Sequence, residues 1–331
     1  MDSMLSIEKI LKAGVEKKAT TIYFIPGSNI SLRVGEKLLQ INNTMLDFVK
    51  TREIAEKLLP ESVDRDSFFE NLKSYNFAYS LKGVGRFRIH IFKQRGSIAI
   101  VVRIIPMKIP PLENLGLSRD FFEELSDLKG GLFIINGKTR SGKSTIMASI
   151  VDYINRKQNK IIVILEPTIQ YTHKNIYSLI SQREMISDFS DFESGIDDAF
   201  YEDQDIIVVD EVMDGRTFMK IIEALLKGIT TFIVVSVSGI EDCLNYLINS
   251  VEESYKIDVI NELLVSLKGI ITTEMISEGD MRKVKVGYTP GSIVNTFLLN
   301  KKTNIEQKMG IKSKSDTFDS TSSVNENWYD E

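Results

Sequence analysis

Residues Gly137-Lys138-Thr139-Arg140-Ser141-Gly142-Lys143-Ser144 constrain this chain more than any other stretch. Their spacing is GxxxxGK[ST], with Thr145 following, and they stand between an apolar run, Gly131–Asn136, and a segment of helical patterning that opens at Lys143. A strand, a tight loop and a helix in that order make an anion cradle. Glycines let backbone N–H groups curl around phosphate oxygens, and the helix N-terminus adds partial positive charge. Lys143 in this setting reaches the β- and γ-phosphates, and the Ser144 hydroxyl ligates Mg²⁺. Residues 137–145 are therefore expected to hold a nucleoside triphosphate.

Further along, Ile206-Ile207-Val208-Val209 runs directly into Asp210-Glu211. A strand beside the loop strand that ends in two acids presents the first to the Mg²⁺ shell and the second to a water in line with the γ-phosphate. Taken alone, two acids at a strand end are an ordinary solvated pair. Beside an intact phosphate loop each acquires a chemical role. Asp210 joins Ser144 as a metal ligand, and Glu211 activates the water.

At 331 residues the chain has room for about two domains. Its 41 basic and 46 acidic residues leave a net charge of −5, so no overall positive field draws in nucleic acid, and none is expected as a partner. One cysteine, Cys243, and two histidines, His90 and His173, exclude an internal disulfide and a multi-thiolate zinc site. Cys243 reads as a small buried apolar residue. No apolar run approaches the ~20 residues that a membrane-spanning helix needs, which predicts a cytoplasmic protein without a transmembrane segment.

Residues 1–106 read as a small α+β domain. Ile7, Ile10, Leu11 and Val15 mark one face of a helix, and strand-like runs follow at Thr21–Ile25, Ile30–Val34 and Lys37–Ile41. Helices are expected at 50–60 and 64–73, then strands at Arg86–Phe92 and Ser97–Ile105. Pro106, Pro110 and Pro111 break the pattern and place a linker at 107–118. From 119 to 310 the dense apolar runs Leu132–Ile135, Ile161–Leu165, Ile206–Val209 and Phe232–Val235 alternate with amphipathic helices, the signature of a parallel α/β sheet. Residues 311–331 are polar and serine-rich, and are expected to be a disordered tail.

Further phrases occur in a set order: Arg86-Phe87-Arg88-Ile89, Phe92-Lys93-Gln94-Arg95-Gly96, Val102-Arg103-Ile104-Ile105-Pro106, Leu112-Glu113-Asn114-Leu115-Gly116-Leu117, Ser181-Gln182-Arg183-Glu184, and Glu202-Asp203-Gln204-Asp205 ahead of Ile206–Glu211. With the phosphate loop they resemble the secretion and pilus ATPase superfamily, most closely the PilT-like retraction ATPases of type IV pili, over about residues 4–310. The resemblance implies a PAS-like N-terminal domain, a RecA-like P-loop ATPase domain and a homo-hexameric ring. It also implies that ATP hydrolysis drives pilus retraction and twitching motility, with a platform protein of the inner membrane as partner. The chain would then work in the cytoplasm, peripherally at the inner face of the membrane. By the same resemblance, Arg88 and Arg103 reach the γ-phosphate from the N-terminal domain, and Glu166 stands as a catalytic acid in the family's acidic box. The short N-terminus and the missing four-cysteine zinc motif resemble the retraction branch rather than the assembly or secretion branches.

Several departures fall where the chemistry should be. The acidic box, I-E-D-P-I-E in the family, reads Leu165-Glu166-Pro167-Thr168-Ile169-Gln170. Met213 stands where the family has arginine, Ser236 where it has histidine, and Asp197 and Tyr201 where it has two further arginines. Asp210 replaces a glycine, which restores the hydrophobic-run-then-acid-pair of other P-loop ATPases. Arg140 replaces a loop glycine, at a cost of about 1–2 kcal/mol if that position requires a left-handed backbone. Lys143, Ser144 and Glu211 speak for a hydrolysing motor. The alternative, carried by Leu165, Gln170, Met213 and Ser236, is an ATP-binding paralogue that serves as a regulatory or assembly platform.

Overall fold

The computed structural model describes residues 6–61, 63–105, 108–278 and 281–308, and in it the chain divides into two compact units. The first takes Met1–Pro110 with Gln170–His173 and Met275–Lys283, and the second takes the rest. The division falls inside the stretch read as a linker. The two short excursions differ from a single span over 119–310, because contiguity in sequence does not decide which unit a loop joins. Pro106 and the tail expected at 311–331 lie outside the described residues.

In the first unit, α1 (Ile7–Glu16) buries Ile7, Ile10, Leu11 and Gly14, with Val15 at the margin of that stripe. There follow β1 (Thr21–Phe24), β2 (Asn29–Val34), β3 (Lys37–Met45), α2 (Phe48–Leu58), α3 (Arg65–Asn71), β4 (Ser74–Leu81), β5 (Gly85–Gln94) and β6 (Ser97–Ile105). The six strands form one sheet in the order β3-β2-β1-β6-β5-β4, paired antiparallel. Strand β5 shows the logic of the sheet: Phe87, Ile89 and Ile91 are buried, while Arg86, Arg88 and His90 take the opposite face. Helix α2 starts two residues before the expected 50 because the Asp47 side chain accepts the Lys50 N–H at 2.8 Å, and it ends before Pro60. Strand β4 has no counterpart among the expected elements. It is an edge strand whose residues only alternate between exposed and half-buried, so no fully apolar face announces it.

The second unit runs α4 (Arg119–Ser126), β7 (Gly131–Asn136), α5 (Lys143–Lys157), β8 (Ile161–Glu166), β9 (Leu179–Glu184), α6 (Phe192–Ala199), β10 (Ile206–Asp210), α7 (Gly215–Leu226), β11 (Thr230–Val235), α8 (Ile240–Ser250), α9 (Lys256–Ser266), β12 (Leu267–Glu278), β13 (Met281–Pro290) and α10 (Gly291–Lys308), with the facing ends of β12 and β13, Met275–Lys283, counted in the first unit. Its sheet has the order β13-β12-β7-β11-β10-β8-β9, and the pairs from β12 to β9 are parallel. Both faces are covered. Leu132 and Ile134 of β7 enter a core with α6 to α10, while Phe133 and Ile135 enter a second core with α4 and α5. Phe133 stacks on Phe232 of the neighbouring strand, ring centroids 4.8 Å apart. That double burial is why the strands read as unbroken apolar runs. Helices α6 and α7 each begin on an aspartate, Asp191 and Asp214, whose carboxylate accepts an amide of the first turn. Cys243 is buried in the α6–α10 core, and burial pushes its thiol up to about 12. Among the described residues no helix is long and apolar enough to cross a membrane.

Candidate active site

Strand β7 is buried along its whole length and delivers the chain to Gly137, so the phosphate loop begins from a rigid support. At Gly137 the backbone has φ +150°, and an added Cβ would stand 2.3 Å from the Thr273 carbonyl oxygen and 2.6 Å from Ser141 Oγ. Only glycine fits there. Gly142, at φ +101°, caps the N-terminus of α5. No acid occupies the first turn of α5, so nothing on the helix itself competes for an anion. Lys138, Thr139 and Arg140 form the exposed crest of the loop, and Gly137, Ser141 and Lys143 its buried base.

The Lys143 ammonium donates to the carbonyls of Gly137 at 3.0 Å and Lys138 at 2.9 Å. It curls over the loop at the place an anion's oxygens would take. Burial pulls its pKa below the ordinary lysine value, with Glu211 and then Asp210 opposing. The Ser144 hydroxyl, in the first turn of α5, donates to Asp210 Oδ2 at 2.9 Å. Asp210 ends β10 and is 6% exposed, and burial pushes its carboxyl up to about 6, beyond what the Ser144 hydrogen bond and the Lys143 charge take back. Glu211 follows, half-buried, fixed on the strand end by the Val212 N–H donating to Val234 O at 2.9 Å.

Glu166 ends β8, next to β10, one position beyond the Leu165–Val209 pair, so it lies level with Asp210 at the carboxyl edge of the sheet. It is buried and accepts from Gln182 Nε2 on β9 at 3.3 Å. Ligands of parallel α/β sheets bind at that edge. Ser236 follows Val235, which pairs with Asn136, so it stands level with Gly137 and is half-buried. The substituted family positions are otherwise occupied: Asp197 pairs with Lys220 at 2.7 Å, Tyr201 is 90% exposed, and the Met213 side chain points outward while its carbonyl accepts from Tyr246. Arg88 and Arg103 are directly opposed partners of β5 and β6 in the first unit, on one face of that sheet.

Two residues that matter here escaped the sequence. Asn136 is fully buried and donates from Nδ2 to Gly239 O at 2.8 Å, which ties the β11–α8 connection to the loop strand. A polar residue closing an apolar strand is its only signal. Thr273 on β12 is buried against Ser141 and has no signal, since the two lie 132 positions apart.

The donor set fits a magnesium nucleotide. A cradle that a Cβ would fill, a lysine folded over it, and a hydroxyl–carboxylate pair at its base all converge on the same helix N-terminus. Among the described residues no group of three or more His, Cys, Asp or Glu could hold a metal by itself. Mg²⁺ takes one or two protein ligands and completes its shell with phosphate oxygens and water, and Ser144 with Asp210 offers such a pair.

Residues 5–311 match the family described as Type II/IV secretion system protein. The chain is 29% identical to the type IV pilus ATPase PilU of Pseudomonas aeruginosa, over 83% of this chain and 72% of that protein. It is 27% identical to the type IV pilus retraction ATPase PilT of the same organism, over 83% of this chain and 79% of that protein. The crystal structure of the pilus retraction motor PilT with bound ADP superposes with a TM-score of 0.82 at 28% identity, covering 93% of this chain and 90% of that one.

Proposed function

The chain belongs to the Type II/IV secretion system protein family and is a PilT-like ATPase, and from that premise we propose that it is the ATP-driven motor of pilus retraction, acting as a homo-hexamer. The observation that carries the reading is the Ser144–Asp210 hydrogen bond at the foot of the phosphate loop, with Lys143 folded over it. In the motor, Lys143 would exchange the Gly137 and Lys138 carbonyls for phosphate oxygens, and Ser144 with Asp210 would hold Mg²⁺. Bound there, Mg²⁺ would neutralise charge on the β- and γ-phosphate oxygens. Glu211 orients the attacking water and accepts its proton. Glu166, held by Gln182, supplies a second carboxylate at the same strand edge. Arg88 and Arg103, opposed partners of β5 and β6, would supply guanidinium charge to the γ-phosphate. We assign the working location to the cytoplasmic face of the membrane, against a platform protein of the pilus machinery.

Steady-state hydrolysis and nucleotide titration on the purified protein test this. Lys143→Ala is expected to lose ATP binding, and Glu211→Gln to bind normally but turn over at least ~10²-fold more slowly. Equal ATP affinity in Lys143→Ala would remove the loop assignment, and unchanged turnover in Glu211→Gln the assignment of the base. Wild-type binding without turnover would favour the non-motor platform that Met213 and Ser236 suggest.

A further inference from the structure

Strand β12 lies beside β7 in parallel register, with Thr272 opposite Asn136, and so brings Thr273 against the start of the phosphate loop. Thr273 is buried, and its hydroxyl makes two contacts there: it donates to the Asn136 carbonyl at 3.1 Å and meets Ser141 Oγ at 2.6 Å. A threonine hydroxyl has one hydrogen. With that hydrogen given to Asn136, the bond to Ser141 must run the other way. The result is a directed chain from the Ser141 O–H to Thr273 Oγ1 and from the Thr273 O–H to Asn136 O. It runs from Asn136, the strand residue just before the loop, to Ser141, the loop's fifth residue, through a side chain that is not part of the loop. The space it uses is the space that Gly137 leaves: a Cβ at Gly137 would stand 2.4 Å from Thr273 Oγ1.

We propose that Thr273 is a positioning residue of the phosphate loop, holding Ser141 so that the loop stands preformed around the phosphates. The loop crest is exposed and, among the described residues, no ion pair ties down Lys138 or Arg140. Thr273 and Ser141 thus hold the base of a loop whose crest side chains, Lys138, Thr139 and Arg140, are exposed. Preformation matters because a cradle that must first be ordered spends binding energy on that ordering. The inference rests on the nucleotide reading of the site, and its test separates the two.

Titration of the full-length protein with MgADP, beside melting curves without nucleotide, gives the answer. Thr273→Val keeps the branched shape and removes the hydroxyl, and is expected to weaken MgADP binding about tenfold. Thr273→Ser should restore affinity to near the wild-type value. Ser141→Ala should weaken binding to a similar degree, and the double variant no further, because the two residues act as one link. A Thr273→Val protein that melts lower yet binds MgADP like wild type overturns the proposal, since Thr273 would then be a fold contact only. Additive losses in the double variant overturn it as well. If Thr273→Val does not fold, full affinity in Ser141→Ala is sufficient to overturn it. Failure of the wild-type protein to bind MgADP removes the nucleotide reading itself, whereas wild-type binding with an unaffected Thr273→Val removes this inference alone.

Discussion

Arg140 sits at φ +66°, a left-handed backbone, where side chains other than glycine are strained. Its side chain is exposed, so no packing offsets that cost. Arg140→Gly should therefore stabilise the nucleotide-free protein by about 1 kcal/mol, raising its melting temperature by roughly 2–4 °C. An unchanged or lower melting temperature would show that the arginine is strain-free here. Asp210 makes a second prediction, with the opposite logic. Its carboxyl titrates near 6 in the folded protein against 3.8 ordinarily, because burial disfavours the anion. A raised folded pKa on an acid means that folding favours the protonated form. The group therefore costs stability above pH 6, and the cost fades as pH falls from 6 to about 4. The full span is on the order of 3 kcal/mol. With chelator present and no nucleotide, Asp210→Asn should be more stable than wild type at pH 7.5, and the difference should vanish near pH 4. Denaturant titrations at the two pH values check it, and a difference independent of pH would refute it.

Among the elements, β9 depends most on side chains to stay in place. It is an edge strand, and its outward amides are covered at both ends: Ile180 N–H donates to Asn175 Oδ1 at 3.0 Å and Glu184 N–H to Asp188 Oδ2 at 2.8 Å. Those covers blunt an edge that would otherwise be open to another chain. The approach to β9 hangs on one residue of α5. Asn155 is fully buried, donates to Lys174 O at 2.7 Å, and accepts the N–H groups of Ile176 and Ser178 at 3.1 and 3.3 Å. Asn155→Ala would strand three backbone groups, and we expect a loss of roughly 3 kcal/mol, measurable by denaturant unfolding. A loss below about 1 kcal/mol would mean that the loop finds other partners. None of this is legible in the sequence, because Asn155 falls within the buried patterning of α5 and its partners lie 19 to 23 positions away.

For the molecule as a whole, the proposed motor needs positive charge for the transition state of hydrolysis. The family arginine positions in the second unit hold Met213, Asp197 and Tyr201, and Asp197 is engaged with Lys220. In the proposed reading, the opposed Arg88–Arg103 pair of the first unit would supply guanidinium charge instead. If the pair supplies it, Arg88→Ala or Arg103→Ala should lower turnover ~10³-fold while ATP affinity and melting temperature stay near wild type. Normal turnover in both variants would reduce the pair to a solvated strand face.

Properties set by neighbours in sequence are available before any coordinates. The phosphate cradle is contiguous from Gly137 to Thr145, so its strand, loop and helix can be read directly. The central strands announce themselves by apolar density, whereas the start of α2 is set by the Asp47 carboxylate holding the Lys50 amide, two residues ahead of the expected helix. What the tertiary structure alone decided spans longer separations. Ser144 and Asp210, 66 positions apart, can be paired in the sequence because a phosphate loop and a strand ending in acids imply each other, but Ser141 meets Thr273 across 132 positions because strand order, not sequence distance, sets β12 beside β7. The sign of φ at Arg140 belongs to the same class: the loop must close around its anchors, and that closure overrides the residue's own preference.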